Sequence, residues 1–81
     1  MTYTKDDFRD WWEGVVTCVP NGIDDPRWTT IRPGVPMVDF PVVVGAVYDW
    51  GVKFWPGVDG ESCKIYVRFE DISEWRVTYR E

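Results

Sequence analysis

The chain has 81 residues, 44% of them hydrophobic and 17% aromatic, and a formal charge of −5. One domain (residues 1–81) is the expectation at this length, and so short a chain leaves little material for a deep cleft once a core is built. Histidine is absent and only two cysteines occur, Cys18 and Cys63, which removes the Ser/His/Asp and Cys/His nucleophile arrangements and leaves one chain short of the four ligands of a structural zinc site. No catalytic residue, metal site or cofactor is therefore assigned, and the two cysteines read as small buried hydrophobes more readily than as a disulfide. No apolar run approaches a membrane span, and the polar start from Thr2 to Asp6 lacks a leader pattern, so the expected setting is soluble and cytoplasmic, with no membrane partner.

Leucine and glutamine are absent, alanine appears once, as Ala46, and valine dominates the aliphatic residues. β-branched and aromatic side chains favour strands over long helices. The exception is the start of the chain, where Thr4 reads as an N-cap with Asp7 three residues on, and Asp6 and Asp7 suit the positive end of a helix dipole. Phe8, Trp11, Trp12, Val15, Val16 and Val19 then recur at helical spacing, which predicts an amphipathic helix from about Lys5 to Cys18. A rival reading ends that helix at Gly14 and makes Val15 to Val19 a strand. Pro20, Asn21 and Gly22 break the chain, and Asp25 before Pro26 reads as the start of a short helical turn reaching Ile31. The helical part thus covers 4–31. Residues 32–41 read as an ordered connector, because Pro33, Gly34, Pro36 and Pro41 leave no room for a central strand.

Antiparallel strands are predicted over 42–80. Val42 to Tyr48 and Val52 to Trp55 flank Asp49, Trp50 and Gly51 as a hairpin. Cys63, Ile65, Val67 and Phe69 alternate with polar residues, and Trp75, Val77 and Tyr79 resume the alternation after Glu70 to Ser73. The fold class read from this pattern is α+β, an N-terminal amphipathic helix packed on a four-stranded antiparallel sheet. The alternative is a small SH3-like barrel with an N-terminal helix.

Two surfaces follow from that arrangement. The helix would expose Asp6, Asp10 and Glu13, an acidic face suited to steering a basic protein partner. The solvent side of the sheet would present Lys53, Trp55, Lys64, Tyr66, Arg68, Arg76, Thr78 and Arg80, with Glu74 the only acid among them. Cations and rings together suit an anionic ligand such as a nucleotide or nucleic acid, although a solvated antiparallel face is ordinarily polar and edge-strand charges discourage aggregation. Trp28 and Trp50, on a turn and a hairpin tip, are candidate exposed aromatic anchors alongside Trp55. The carboxylate pairs Asp24–Asp25 and Glu70–Asp71 read as loop acids facing water rather than as an acid/base pair, and Asp59–Gly60–Glu61 lacks the remaining oxygen ligands of a calcium loop.

Small size, acidity, abundant aromatics and missing catalytic equipment resemble the general character of phage accessory proteins and of immunity or inhibitor proteins that block another macromolecule by covering its surface. The resemblance is one of type, without a motif. It implies a non-enzymatic inhibitor or adaptor, phage- or mobile-element-encoded, directed at a host defence or regulatory protein. The alternatives are an anionic-ligand binder acting through the sheet face and a self-associating structural component.

Overall fold

The structure, a computed structural model, describes residues 2–24, 31–56 and 63–80. The expected capping box is present: the Thr4 side chain accepts from the Asp6 amide and the Asp7 carboxylate from the Thr4 amide, at 2.8 Å. It caps a single 3₁₀ turn, Lys5–Asp7, and Phe8 is already extended. The predicted helix to Cys18 does not form. Residues Glu13–Cys18 are instead strand β1, followed by β2 (Gly22–Ile23), β3 (Met37–Val47), β4 (Gly51–Pro56), β5 (Ile65–Arg68), a 3₁₀ turn Phe69–Asp71, and β6 (Ile72–Tyr79). All pairings are antiparallel, in one six-stranded sheet of order β2-β5-β4-β3-β1-β6.

The α+β assignment and its alternative barrel with an N-terminal helix are both overturned. No helix of seven or more residues occurs among the described residues, so the part assigned as helical over 4–31 holds there only a 3₁₀ turn and the strands β1 and β2, and the turn read at Asp25–Ile31 lies largely outside them. The physical reason is two-sided pairing. β1 lies between β3 and β6 and satisfies the backbone of both neighbours, whereas a helix there would leave two strand edges unpaired. No helix among the described residues is long and apolar enough to cross a membrane.

The connector at 32–41 is corrected as well, since β3 begins at Met37 and runs through Pro41 although it is a central strand. Pairing geometry explains why proline is tolerated. The Trp75 amide donates to the Tyr3 hydroxyl, away from β1, so the ladder bonds between β1 and β6 fall on the neighbouring Val15–Arg76 pair. Val15 then turns its bonding groups away from its other partner, Pro41, whose nitrogen faces the side where β4 has ended at Pro56.

Two short connections curl the sheet. Val19, Pro20 and Asn21 carry the chain from β1 to β2, which lie four strand positions apart. Four strand spacings in a flat sheet are ~19 Å, more than the ~14 Å that the segment can span. The turn Phe69–Asp71 likewise joins β5 to β6 across the sheet. The seam is closed by the Val19 amide on the Asp71 carbonyl (3.0 Å) and the Asn21 amide on the Tyr66 carbonyl (2.8 Å). The Asn21 side chain adds two bonds, accepting from the Arg68 amide (2.7 Å) and donating to the Asp71 carboxylate (2.9 Å).

Inside the curl lie Val16, Val44, Val52, Phe54, Ile65 and Val67, all fully buried. Phe8 fills the open end, with ring centroids 5.0 Å from Trp75, 5.9 Å from Phe69 and 6.0 Å from Phe54. The Trp75 indole N–H donates to the Asp7 carbonyl at 3.0 Å and ties this plug to β6. Cys18 and Cys63 are free and buried, and burial together with the Asp71 carboxylate pushes the Cys18 thiol up to about 12.

Phe8→Ala is expected to cost ~3–5 kcal/mol in urea unfolding, whereas Asp10→Ala should move stability by less than ~0.5 kcal/mol. A folded-state pKa above the unfolded value means that the Cys18 thiol holds its proton longer in the native state. Its contribution is fully present below pH 9 and is lost between about 9 and 12. The unfolding midpoint should therefore fall over this range more steeply for the wild type than for Cys18→Ala.

Candidate functional site

Strand alternation sends Val52, Phe54, Ile65 and Val67 inward and Lys53, Trp55 and Tyr66 to the outer face of β4 and β5. Lys53 pairs with Tyr66 and Phe54 with Ile65, so the same register carries Lys64 opposite Trp55. The result is a checkerboard in which each ring is flanked by a cation along and across the strands. The Lys64 ammonium stands 5.1 Å from the Trp55 ring centroid. Neither Lys53 nor Lys64 has a carboxylate partner among the described residues, in contrast to Lys5, Arg68 and Arg76.

Gly45 on β3 lets the Trp55 ring lie along the backbone, whereas a side chain at Gly22 would make only ordinary contact with Tyr66. A Cβ at Gly45 would stand 2.5 Å from Trp55 Nε1, and one at Gly22 would stand 3.8 Å from Tyr66 Cδ2. The Tyr66 hydroxyl donates to Asp24 at 3.1 Å, and desolvation together with that hydrogen bond and the Asp24 charge raises its pKa.

A second feature crosses the sheet from this corner. Tyr79, Glu13, Val43 and Trp55 occupy successive strands in one cross-strand row, with Tyr79 55% and Trp55 40% exposed. Beyond Glu13 the chain turns at Arg9–Trp12, closed by the Trp12 amide on the Arg9 carbonyl at 3.1 Å. Trp11 occupies the third position of this turn with φ of 70°, a conformation that favours glycine or asparagine, and is 60% exposed. Its amide donates to the Val44 carbonyl and the Val44 amide to the Trp12 carbonyl, so the Trp11–Trp12 pair is fastened to β3. Trp12 packs against the core and carries the Arg9 and Arg80 guanidinium groups at 5.9 and 4.8 Å from its ring.

The residues assigned from sequence are redistributed accordingly. Asp6 lies in the N-terminal 3₁₀ turn, Asp10 in the following turn and Glu13 on the outer face of β1, and without a helix no helical face groups them. Lys53, Trp55, Lys64 and Tyr66 come together. Arg68 follows Tyr66 on the same face but leans on Glu70 and Asp71, at 3.5 and 3.4 Å. Arg76 lies on β6, at the far edge of the sheet, paired with Asp39 and Glu74 at 2.9 Å each, and Arg80 is taken up by Trp12. Trp50 is 49% exposed at the hairpin tip, stacked on Tyr48 with centroids 5.1 Å apart. It borders a shallow groove of about 510 Å³ that Lys5, Asp49, Arg68 and Glu70 also line. Trp28 lies outside the described residues.

Trp11 and Tyr79, both assigned inward positions by periodicity, are the exposed aromatics that the sequence reading missed. A usable signal was the adjacency of Trp11 and Trp12: in extended chain two neighbours point to opposite sides, so both cannot face one core. Compared with known proteins, the chain matches no family model, no curated protein and no solved structure.

Trp11→Gly is expected to leave stability unchanged or raise it by up to about 1 kcal/mol, because glycine adopts the left-handed turn without strain, which offsets the little burial lost with a side chain that is 60% exposed. Trp11→Val, β-branched at the same φ, should lower it by about 1–2 kcal/mol in the same unfolding assay.

Proposed function

We propose that the protein is a non-enzymatic binding module, an inhibitor or adaptor, that seats on a partner protein through the strip of Trp11, Val43, Trp55 and Tyr79. The observation that carries this reading is Trp11: a bulky residue in a left-handed turn, with its side chain 60% exposed. Backbone strain of this kind costs ~1–3 kcal/mol, and a largely exposed indole recovers little of it within the free chain. Burial against a partner recovers it, since tryptophan and tyrosine are the side chains that most often anchor protein interfaces.

Charge around the strip suits the same role. Glu13 stands inside the row, so a charged group interrupts the apolar area and sets orientation while the rings supply affinity. The strip is presented on paired strands and on a turn fastened to β3, a backbone that holds anchors with little entropy left to lose on binding.

Affinity capture from lysate with wild-type protein and with the folded variants Trp11→Ala and Tyr79→Ala tests the reading. The expected result is a partner retained by the wild type and weakened at least ~30-fold by each substitution, equivalent to ~2 kcal/mol. A partner bound equally by all three proteins would place the interface elsewhere. Concentration-dependent sedimentation lost in the same variants would show that the partner is a second copy of the chain.

A further inference from the structure

We propose that the checkerboard on β4 and β5 is a nucleotide site, in which a planar base stacks over Trp55 and its phosphate is held between Lys53 and Lys64. This inference stands apart from the protein-binding strip, with which it shares only Trp55.

The charge distribution selects an anion. On a chain of net charge −5, Arg9 and Arg80 rest on the Trp12 ring, and three further cations lean on carboxylates: Lys5 on Asp49, Arg68 on Glu70 and Asp71, Arg76 on Asp39 and Glu74. Lys53 and Lys64 have no such partner among the described residues, and they lie on one diagonal of the same strand pair. Diagonal neighbours in an antiparallel pair stand roughly 7–8 Å apart, so two ammonium groups on flexible stems converge on one phosphate.

The rings select a planar group. Trp55 lies along the backbone at Gly45, and the Lys64 ammonium stands over its ring. A cation over an indole occupies the place that a base would take, and displacement of Lys64 delivers its charge to the phosphate of the same ligand. Tyr66, on the other diagonal, adds a second ring, and the Asp24 carboxylate that accepts from its hydroxyl stands at the border as an acceptor for an exocyclic amine. An acidic peptide would use the two lysines but leave the indole face without a partner. Net charge argues against a long polyanion, whose phosphates beyond the patch meet acidic surface.

The test is titration of the full chain, followed by heteronuclear NMR and by calorimetry, with AMP, GMP, inorganic phosphate, a short oligothymidylate and polyglutamate as separate probes. The expected result is saturable binding of a mononucleotide, with shifts centred on Lys53, Trp55 and Lys64 and with inorganic phosphate weaker. Trp55→Ala should weaken it ~5- to 150-fold, the equivalent of a ~1–3 kcal/mol stacking interaction, and Trp55→Phe should restore part of the loss. Lys53→Glu with Lys64→Glu should abolish it while leaving capture of a protein partner by the strip intact, so the two readings fail separately. An oligothymidylate that binds more tightly than a mononucleotide through the same residues supports the site and identifies its source as a single strand. Saturation by polyglutamate with equal affinity, or nucleotide binding unchanged in both the Trp55→Ala and the double lysine variants, would overturn the proposal, as would no saturable shift at these residues with any nucleotide.

Discussion

Closure of the curled sheet at Asn21 is the constraint on which the rest of the molecule depends. Two connections of three residues each, Val19–Asn21 and Phe69–Asp71, must cross from one part of the sheet to another that a flat arrangement would put out of reach. Asn21 meets both: its amide and side-chain oxygen engage β5, and its side-chain nitrogen engages Asp71 in the 3₁₀ turn. With the seam closed, the inner faces of β1, β3, β4, β5 and β6 converge on one core, and a single aromatic side chain, Phe8, suffices to plug its end. A chain this short can bury enough apolar surface only if its sheet wraps around itself in this way.

Curvature in turn shapes the surface. Where strands bend and shift register, small residues admit large neighbours. Gly14 is covered by the Trp75 indole on the inner side, and Gly45, at a register shift between β3 and β4, by Trp55 on the outer side. A Cβ at Gly14 would also meet the Arg76 carbonyl, so the closeness there is one of backbone as well as ring. These pairs decide which rings stand in solvent and how they lie. Trp75 becomes core, while Trp55 lies along the sheet with part of its ring available to a ligand.

Charge follows the same logic at the surface. Arg68 and Arg76 each serve two carboxylates, Arg9 and Arg80 rest on Trp12, and Lys5 bridges the N-terminal segment to the hairpin tip through Asp49. Exposed pairs of this kind contribute little to stability, but they neutralise the regions in which they occur. Lys53 and Lys64, beside Trp55, have no carboxylate partner among the described residues, and a row through Val43 and Glu13 leads from Trp55 to Tyr79. Both proposed functions draw on this one corner of the molecule, because there the sheet holds partly exposed rings beside cations without a carboxylate partner.

Much of the local grammar was legible in the residues. The absence of histidine, the capping box of Thr4 and Asp7, the hairpin around Asp49–Gly51 and the inward alternation of Cys63, Ile65 and Val67 are properties of composition or of near neighbours, and such short-range chemistry acts the same way in any fold. The stripe from Phe8 to Val19 was legible only as apolar recurrence. Its spacing fits a helix, yet with a turn at Trp11 and a strand from Glu13 only Phe8, Trp12 and Val16 of the stripe reach the core, and hydrogen bonds to β3 and β6, both distant in sequence, decided between the two. Pro41 in a central strand depended on where β4 happens to end. The division of the basic residues was likewise tertiary: alternation put Lys53, Lys64, Arg76 and Arg80 on one nominal face, but a curled sheet has no single outer direction. Periodicity assigned each side chain to the inside or the outside of its strand, and only long-range pairing determined which strands, and therefore which side chains, meet.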